Sequence, residues 1–263
     1  MFSAGDSYER FMGRWSRALA FPFVQFGGLR DSDSVLDVGS GTGAVTDAVA
    51  ALSPSSRIVG IDPAAGFVAY AQAHHAGDLV QFEVGDAQRL RFADRSFTRT
   101  LSLLNMNFIP DPVKALQEMC RVTQPGGTVA AAVWDYPQGM EMLRVFWDQA
   151  VALNREADAK DERHMRFSAS GELAALFRQQ PFAHIASEAL AVETRFSSFD
   201  DYWLPFLEQQ GPAGAYVASL SASDAERLRL RLRHRLLGDG PDAPIALRAR
   251  AWAVRGTVPG PSR

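Results

Sequence analysis

The stretch Val35-Leu36-Asp37-Val38-Gly39-Ser40-Gly41-Thr42-Gly43 decides how the chain folds. Its apolar start, Ser34 to Leu36 with Val38, suits a short buried strand. Three glycines at alternate positions then make a turn that a helix can follow. Glycine accepts positive φ and lets a ligand approach a backbone that carries no Cβ. Asp37 stands just before the glycines. A loop built for pyrophosphate gains little from a carboxylate there, whereas a loop that must hold an amino group or a ribose does. About twenty residues further on, Ile58-Val59-Gly60-Ile61-Asp62 reads as a second buried strand closing on a carboxylate, which suits a grip on a ribose diol.

Working outward, residues 35–38, 57–61, 80–84, 98–103 and 128–134 read as five strands. Helices at 42–52, 64–76 and 113–122 fall between them. That alternation argues for a parallel sheet with helices on both faces. On the first of these helices Val45, Val49 and Leu52 form the inner face. Residues 7–26 read as helical, with Phe11, Trp15, Leu19 and Phe23 in one apolar stripe. Pro22 is expected to end or kink that helix. After Asp135 the pattern changes. Helices are expected at 140–155, 170–178 and 200–210, with strands at 187–196 and 245–258. Ser223-Asp224-Ala225-Glu226 reads as a capping box for a helix running to Leu237, with Gly238 at its end.

Composition narrows the function. The 263 residues, 47% hydrophobic, suffice for one large α/β domain with insertions or two small ones. A net charge of −3 provides no basic field for a phosphate backbone, which argues against a nucleic-acid substrate. With Cys120 alone there is no intrachain disulfide and no cysteine zinc cage, which fits a reducing cytoplasm. The histidines are scattered without metal-ligand spacing, so no metal is expected. The opening Met1-Phe2-Ser3-Ala4-Gly5-Asp6 lacks the basic and apolar regions of a signal peptide. No apolar run is long enough for membrane insertion. Oligomeric state is not legible.

The glycine loop with Asp62, the turn Gly85-Asp86-Ala87, the strand ending at Leu103 and the turn Gln124-Pro125-Gly126-Gly127 occur in a familiar order. In that order and spacing the chain resembles the class I S-adenosylmethionine-dependent methyltransferases, and within them the small-molecule branch of quinone-biosynthesis type. The resemblance covers roughly residues 5 to 135. It implies a doubly wound, Rossmann-like sheet of seven mostly parallel strands, whose last two strands form an antiparallel pair. It also implies a single domain over 1–263, an N-terminal helical cover at 1–30, and helical lid insertions at 138–168 and 198–238 above the cleft.

The resemblance implies S-adenosylmethionine as cofactor and a small-molecule methyl acceptor. Gly39 and Gly41 would line the approach of its carboxylate to a helix start, where free N–H groups favour negative charge. Asp37 would order the loop or attract the ammonium. Asp62, followed by Pro63, would accept from the ribose hydroxyls. Asp86 and the Ala87 amide would meet the adenine edge, and the Leu103 carbonyl the ammonium. Tyr8 and Arg14, on the segment that folds over the cofactor in relatives, would close on the methionine end, with Arg14 pairing with its carboxylate.

Methyl transfer requires no covalent enzyme intermediate, and no catalytic residue is assigned. Asn105, Asn107, Trp134, Tyr136, Glu141 and His164 are the polar groups nearest the expected cleft. Phe146, Trp147, Tyr202, Trp203, Phe206 and Tyr216 would form either an apolar lid for a hydrophobic acceptor or the insertions' own core. The arginines between Arg227 and Arg235 read as the solvated face of a helix. Two other functions stay open. Gly39-x-Gly41-x-x-Ala44 also satisfies the fingerprint of a nicotinamide-dependent oxidoreductase. The apolar exit of the fourth strand, Leu103-Leu104-Asn105-Met106, also suits a non-catalytic cofactor-binding module.

Overall fold

A computed structural model describes residues 4–75 and 77–260. Seven strands form one sheet: β1 (Ser34–Val38), β2 (Arg57–Asp62), β3 (Val80–Val84), β4 (Phe97–Leu103), β5 (Thr123–Trp134), β6 (Ala183–Phe196) and β7 (Ile245–Thr257). Their order is β3-β2-β1-β4-β5-β7-β6. β1 to β5 run parallel, and β7 runs antiparallel between β5 and β6. Val35, Leu36 and Val38 of β1 are fully buried, as expected of a strand covered on both faces. Strand order reverses between β1 and β4, and sheets of this kind bind ligands at the carboxyl ends beside such a reversal.

The N-terminal segment crosses that end. It consists of α1 (Ala4–Tyr8), a π-helical turn at Glu9–Gly13 and α2 (Arg14–Phe26). α2 continues through Pro22 instead of ending there. Phe23 and Val24, just beyond the proline, are fully buried, and their burial outweighs the lost hydrogen bond. Helices α3 (Ala44–Leu52), α4 (Ala65–His74) and α5 (Pro112–Val122) link the parallel strands. Leu52 is exposed rather than inward. β5 begins at Thr123 because its Pro-Gly-Gly turn stays bonded to the end of β7. Gly126 N–H donates to the Val258 carbonyl at 2.8 Å, and Val258 N–H to that of Gly127 at 2.9 Å.

The second half supplies α6 (Glu141–Leu153), α7 (Glu172–Arg178), α8 (Phe199–Trp203), α9 (Gly211–Ala218) and α10 (Ala222–Leu237), with 3-10 turns at Arg155–Lys160, Glu162–His164 and Leu204–Glu208. α10 is capped by Ser221, not Ser223: the Ser221 hydroxyl accepts from Asp224 N–H at 3.1 Å. The aromatic residues of the insertions pack on one another. Phe146 stacks on Phe206 with ring centroids 4.6 Å apart, and Phe206 meets Phe11 of the N-terminal segment edge-on at 5.3 Å. Phe146, Trp147, Tyr202 and Phe206 are fully buried, so they are the core of the cover. Arg10 joins the N-terminal segment to this core through a two-pronged contact with Glu208, at 2.7 and 2.8 Å.

Candidate functional site

The glycine loop is shaped by local backbone chemistry. Gly39, Gly41 and Gly43 have φ of 76°, 52° and 96°, a region most residues avoid. Gly39 and Ser40 N–H both donate to the Ile61 carbonyl, at 2.8 and 2.9 Å, which pins the loop to the end of β2. A Cβ on Gly39 would lie 2.3 Å from the Asn105 side chain, and one on Gly43 2.4 Å from the His75 ring. A Cβ on Gly41 would meet nothing within 4 Å. The loop is therefore tight against protein at two glycines and open at the third, where a ligand can rest on bare backbone.

Two carboxylates flank the loop, in different states. Asp62 is satisfied: one oxygen accepts from Gly41 N–H at 3.0 Å and the other from Ala64 N–H at 2.9 Å. Burial raises its pKa, and these two bonds oppose the rise. Asp37 is buried, and among the described residues neither of its oxygens has a hydrogen-bond partner. Burial, reinforced by the nearby Asp62 charge and opposed by His75, pushes its carboxyl up to about 8. A buried carboxylate without a donor is costly. Such a group points to a missing cation.

Two cavities meet at Gly39. One, of about 350 Å³, is lined by Ile61, Pro63, Asp86, Ala87, Asn105 and Phe108, among others. The other, of about 30 Å³, is lined by Tyr8, Ser16, Asp37, Gly41, Thr42 and Leu103, among others. Gly39 borders both. The structure thus brings Asp37, Gly39, Gly41, Pro63, Asp86, Ala87, Leu103 and Tyr8 to one rim; Asp62 lines neither cavity and is held against the loop by Gly41 N–H. Asp86 is held below the usual carboxylate range by Gln88, whose backbone N–H donates to it at 2.8 Å. Leu104 sits in the left-handed region at φ 59°, a strained bend that turns Asn105 toward the loop.

Arg14 is a correction. Its guanidinium pairs with Asp201 at 2.7 and 3.2 Å and lies over the Phe196 ring at 4.7 Å. It lines neither cavity. One turn of helix carries it to the side of α2 that faces α8, where a carboxylate already satisfies it.

Beyond the small cavity lies a polar cluster. Tyr136 is buried beside Asn107 and near Glu162 and Tyr8. Asn107 donates to the Met165 sulfur at 3.6 Å. Glu162 accepts from the Trp147 indole N–H, and burial pushes its carboxyl up to about 7. Glu162 escapes a sequence reading because it lies in a charged, aperiodic stretch where nothing marks it as buried. Glu141 and His164 are elsewhere: Glu141 accepts from Arg248 N–H at 2.7 Å, and His164 is exposed near Asp158. Trp134 is buried, with its indole N–H unpartnered. His75 also escapes a sequence reading, since it lies just past the end of α4 with no pattern to mark it.

Residues 36–131 match the Methyltransferase domain family Methyltransf_11. This part of the chain is a class I methyltransferase domain. Among curated proteins, the domain is similar to the ubiquinone/menaquinone biosynthesis C-methyltransferase UbiE of Bdellovibrio bacteriovorus. The two are 35% identical over 108 residues, 40% of this chain and 46% of that protein. It is also similar to a malonyl-[acyl-carrier protein] O-methyltransferase of Methylococcus capsulatus, 32% identical over 114 residues, 43% of this chain and 41% of that one. The chain thus spans about half the length of the curated relatives it matches, and the matched half carries the glycine loop. The whole fold resembles the Haemonchus contortus phosphoethanolamine N-methyltransferase 2 solved with phosphomonomethylethanolamine and S-adenosylhomocysteine. The TM-score is 0.60 at 17% identity, covering 97% of this chain and 57% of that one. At that identity the likeness concerns the methyltransferase fold alone.

Proposed function

We propose that the chain is an S-adenosylmethionine-dependent methyltransferase acting on a small, apolar acceptor. Asp37 carries the reading: a buried carboxylate with no donor, beside a loop open only at Gly41, asks for a cationic group on a ligand that hugs the backbone. The amino-acid end of S-adenosylmethionine has that ammonium, and its carboxylate suits the N-terminal end of α3. Each Asp62 oxygen already accepts one N–H and keeps a lone pair for a ribose hydroxyl. The 350 Å³ cavity, apolar with Asp86 at its edge, suits an adenine ring. When bound, the cofactor supplies a methyl group activated by its sulfonium. The chain's task is then to orient the acceptor and exclude water.

The 30 Å³ cavity holds about one water, not an amino-acid tail. Tyr8 and Ser16 must therefore step back as the ligand enters, and the π-helical turn at Glu9–Gly13 gives the segment a weak point at which to move. The quinone-type name of one relative favours an apolar acceptor. Glu162, whose carboxyl burial pushes up to about 7, would take up a proton where one is released, with Asn107 and Tyr136 beside it as hydrogen-bonding groups.

A dinucleotide would bring phosphate close to Asp37, a repulsive match that disfavours the oxidoreductase reading. The closed packing of the cover is also what a non-catalytic binding module would show. Titration calorimetry with S-adenosylmethionine tests the proposal. Micromolar binding, with no binding of reduced nicotinamide dinucleotide, is the expected outcome. An absence of binding at millimolar cofactor to folded protein overturns it. Release of demethylated cofactor in the presence of an apolar hydroxylated aromatic separates enzyme from module.

A further inference from the structure

His75 lies directly under the glycine loop. Its Nε2 is 2.9 Å from the Thr42 carbonyl oxygen and its Nδ1 is 2.8 Å from an Asp47 carboxylate oxygen. Both partners are acceptors. A neutral imidazole has one N–H and one lone pair, so it can satisfy only one of them and presents a lone pair to the other. The doubly protonated ring satisfies both. Gly43 leaves the space the ring uses, since a Cβ there would lie 2.4 Å from Nε2.

The contacts continue. The other Asp47 oxygen accepts from Arg17 of α2, and Arg17 Nε donates to Glu9 of the π-helical turn at 2.8 Å. One chain of charge-assisted bonds therefore runs from the loop carbonyl through α3 to the N-terminal segment that roofs the small cavity. Tyr8 and Tyr70 lie within electrostatic reach of Glu9 and Arg17. Asp37 of β1 interacts with the ring through space. From β3 the Phe82 ring packs on it at 5.5 Å, and the Glu83 carboxylate shares the groove that opens onto the ring. His74 turns away, bonded to the Tyr70 carbonyl and stacked on that ring.

We propose that His75, as an imidazolium, is a positioning residue that locks the cofactor loop to the N-terminal cover, so that cofactor affinity is lost when the ring loses its proton. The proposal rests on the methyltransferase reading for the identity of the ligand. The hydrogen bond to Asp47 raises the imidazole pKa, with burial opposing. The lock is therefore complete below the ordinary value of 6.5 and dissolves as the pH climbs through the raised one. An open groove lined by His75, Gln72 and Glu83 gives solvent protons access to the ring.

The test compares the wild type with His75→Gln, which keeps one donor but cannot carry the charge. S-adenosylmethionine affinity is measured by calorimetry from about pH 6 to about pH 9. Titration of the ligand amine is common to both proteins and cancels in the ratio of their affinities; loss of the His75 charge also releases Asp37 to a higher pKa, an effect that the ligand-free exchange measurement below separates. The expected ratio is about tenfold near pH 6, shrinking below about threefold near pH 9. A ratio that does not change with pH overturns the proposal. A second readout needs no ligand: amide hydrogen exchange across residues 41–44 should be about tenfold faster in His75→Gln near pH 6 and nearly equal near pH 9. Equal protection at both pH values also overturns it. If the wild type binds no cofactor at any pH, the functional reading fails, and the exchange experiment still decides whether His75 locks the loop.

Discussion

The cofactor half of the molecule, β1 to β5, and the cover built by α6, α8, α9 and the N-terminal segment are stabilised in opposite ways. The cover is satisfied at its aromatic centre: Phe11 meets Phe206 edge-on, Phe146 stacks on Phe206, Tyr202 lies tilted against it, and the Tyr202 hydroxyl finds the Met142 carbonyl at 3.1 Å. The cofactor half is frustrated at its centre, with an unpaired carboxylate at Asp37, a strained bend at Leu104 and three glycines at positive φ. Folding alone would remove such features, and proteins keep them where binding needs them. The family match follows the same division, spanning residues 36–131 between the N-terminal segment and the rest of the cover. What a fixed ligand demands is set by a few local residues; what surrounds a variable acceptor is set by packing.

The largest test of this contrast is Asp37→Asn. In the folded chain this carboxyl titrates at about 8 against an ordinary 3.8, so the folded state holds a proton that the unfolded chain gives up. Stability therefore falls as pH rises across that interval, and the penalty is complete above about pH 8. Asparagine removes the charge. The ligand-free variant should be more stable by about 2 kcal/mol near pH 9 and little changed near pH 4, as read by denaturant melts. Its affinity for S-adenosylmethionine should fall by about 100-fold, because the ammonium loses its buried partner. Stabilisation without loss of binding would show that the unpaired carboxylate serves something other than a cationic ligand.

The glycines sharpen the contrast within the loop itself. Gly39→Ala meets both positive φ and the Asn105 side chain, and should cost about 3 kcal/mol of stability. Gly41→Ala meets only the backbone strain, about 1 kcal/mol, because no protein atom stands near its Cβ. Yet Gly41→Ala should weaken cofactor binding by about tenfold, since its methyl group enters the space a ligand needs. Thermal melts paired with calorimetry separate the two. Equal losses in both variants would mean that the loop is a structural turn and not a binding surface.

Legibility followed the same division. The alternation of strands and helices, the loop and its two acids were readable because each depends on residues next to it: a glycine for a φ, an acid at a strand end. Where the outcome depended on distant partners, local patterns misled. By sequence Pro22 is expected to end or kink its helix, but the helix continues to Phe26 with Phe23 and Val24 buried beyond the proline. Ser223 fits a capping box, but Ser221 and Asp224 form the cap because the helix begins at Ala222. His75 and Glu162 had no local signal. Their importance comes from Thr42 and Asp47 in one case and Trp147 in the other, each brought in by the tertiary fold.

Arg14 gives the smallest effect and the finest discrimination between the halves. By family resemblance it belongs to the cofactor, pairing with the carboxylate of the methionine end. In the structure it belongs to the cover, bonded to Asp201 at 2.7 Å, to the Arg195 carbonyl at 3.3 Å, and stacked over Phe196. A partly exposed pair of this kind contributes about 0.5–1 kcal/mol, with the stacking adding a similar amount. Arg14→Ala should therefore lower stability by about 1 kcal/mol and leave cofactor affinity within about twofold. Asp201→Ala should reproduce the stability loss, and the double variant should add little to either, as expected of two groups whose main partner is each other. A tenfold loss of affinity in Arg14→Ala but not in Asp201→Ala would mean that the arginine swings to the ligand when the N-terminal segment opens. The boundary between the two halves would then move with the cofactor, with Asp201 holding the arginine only while the small cavity is closed.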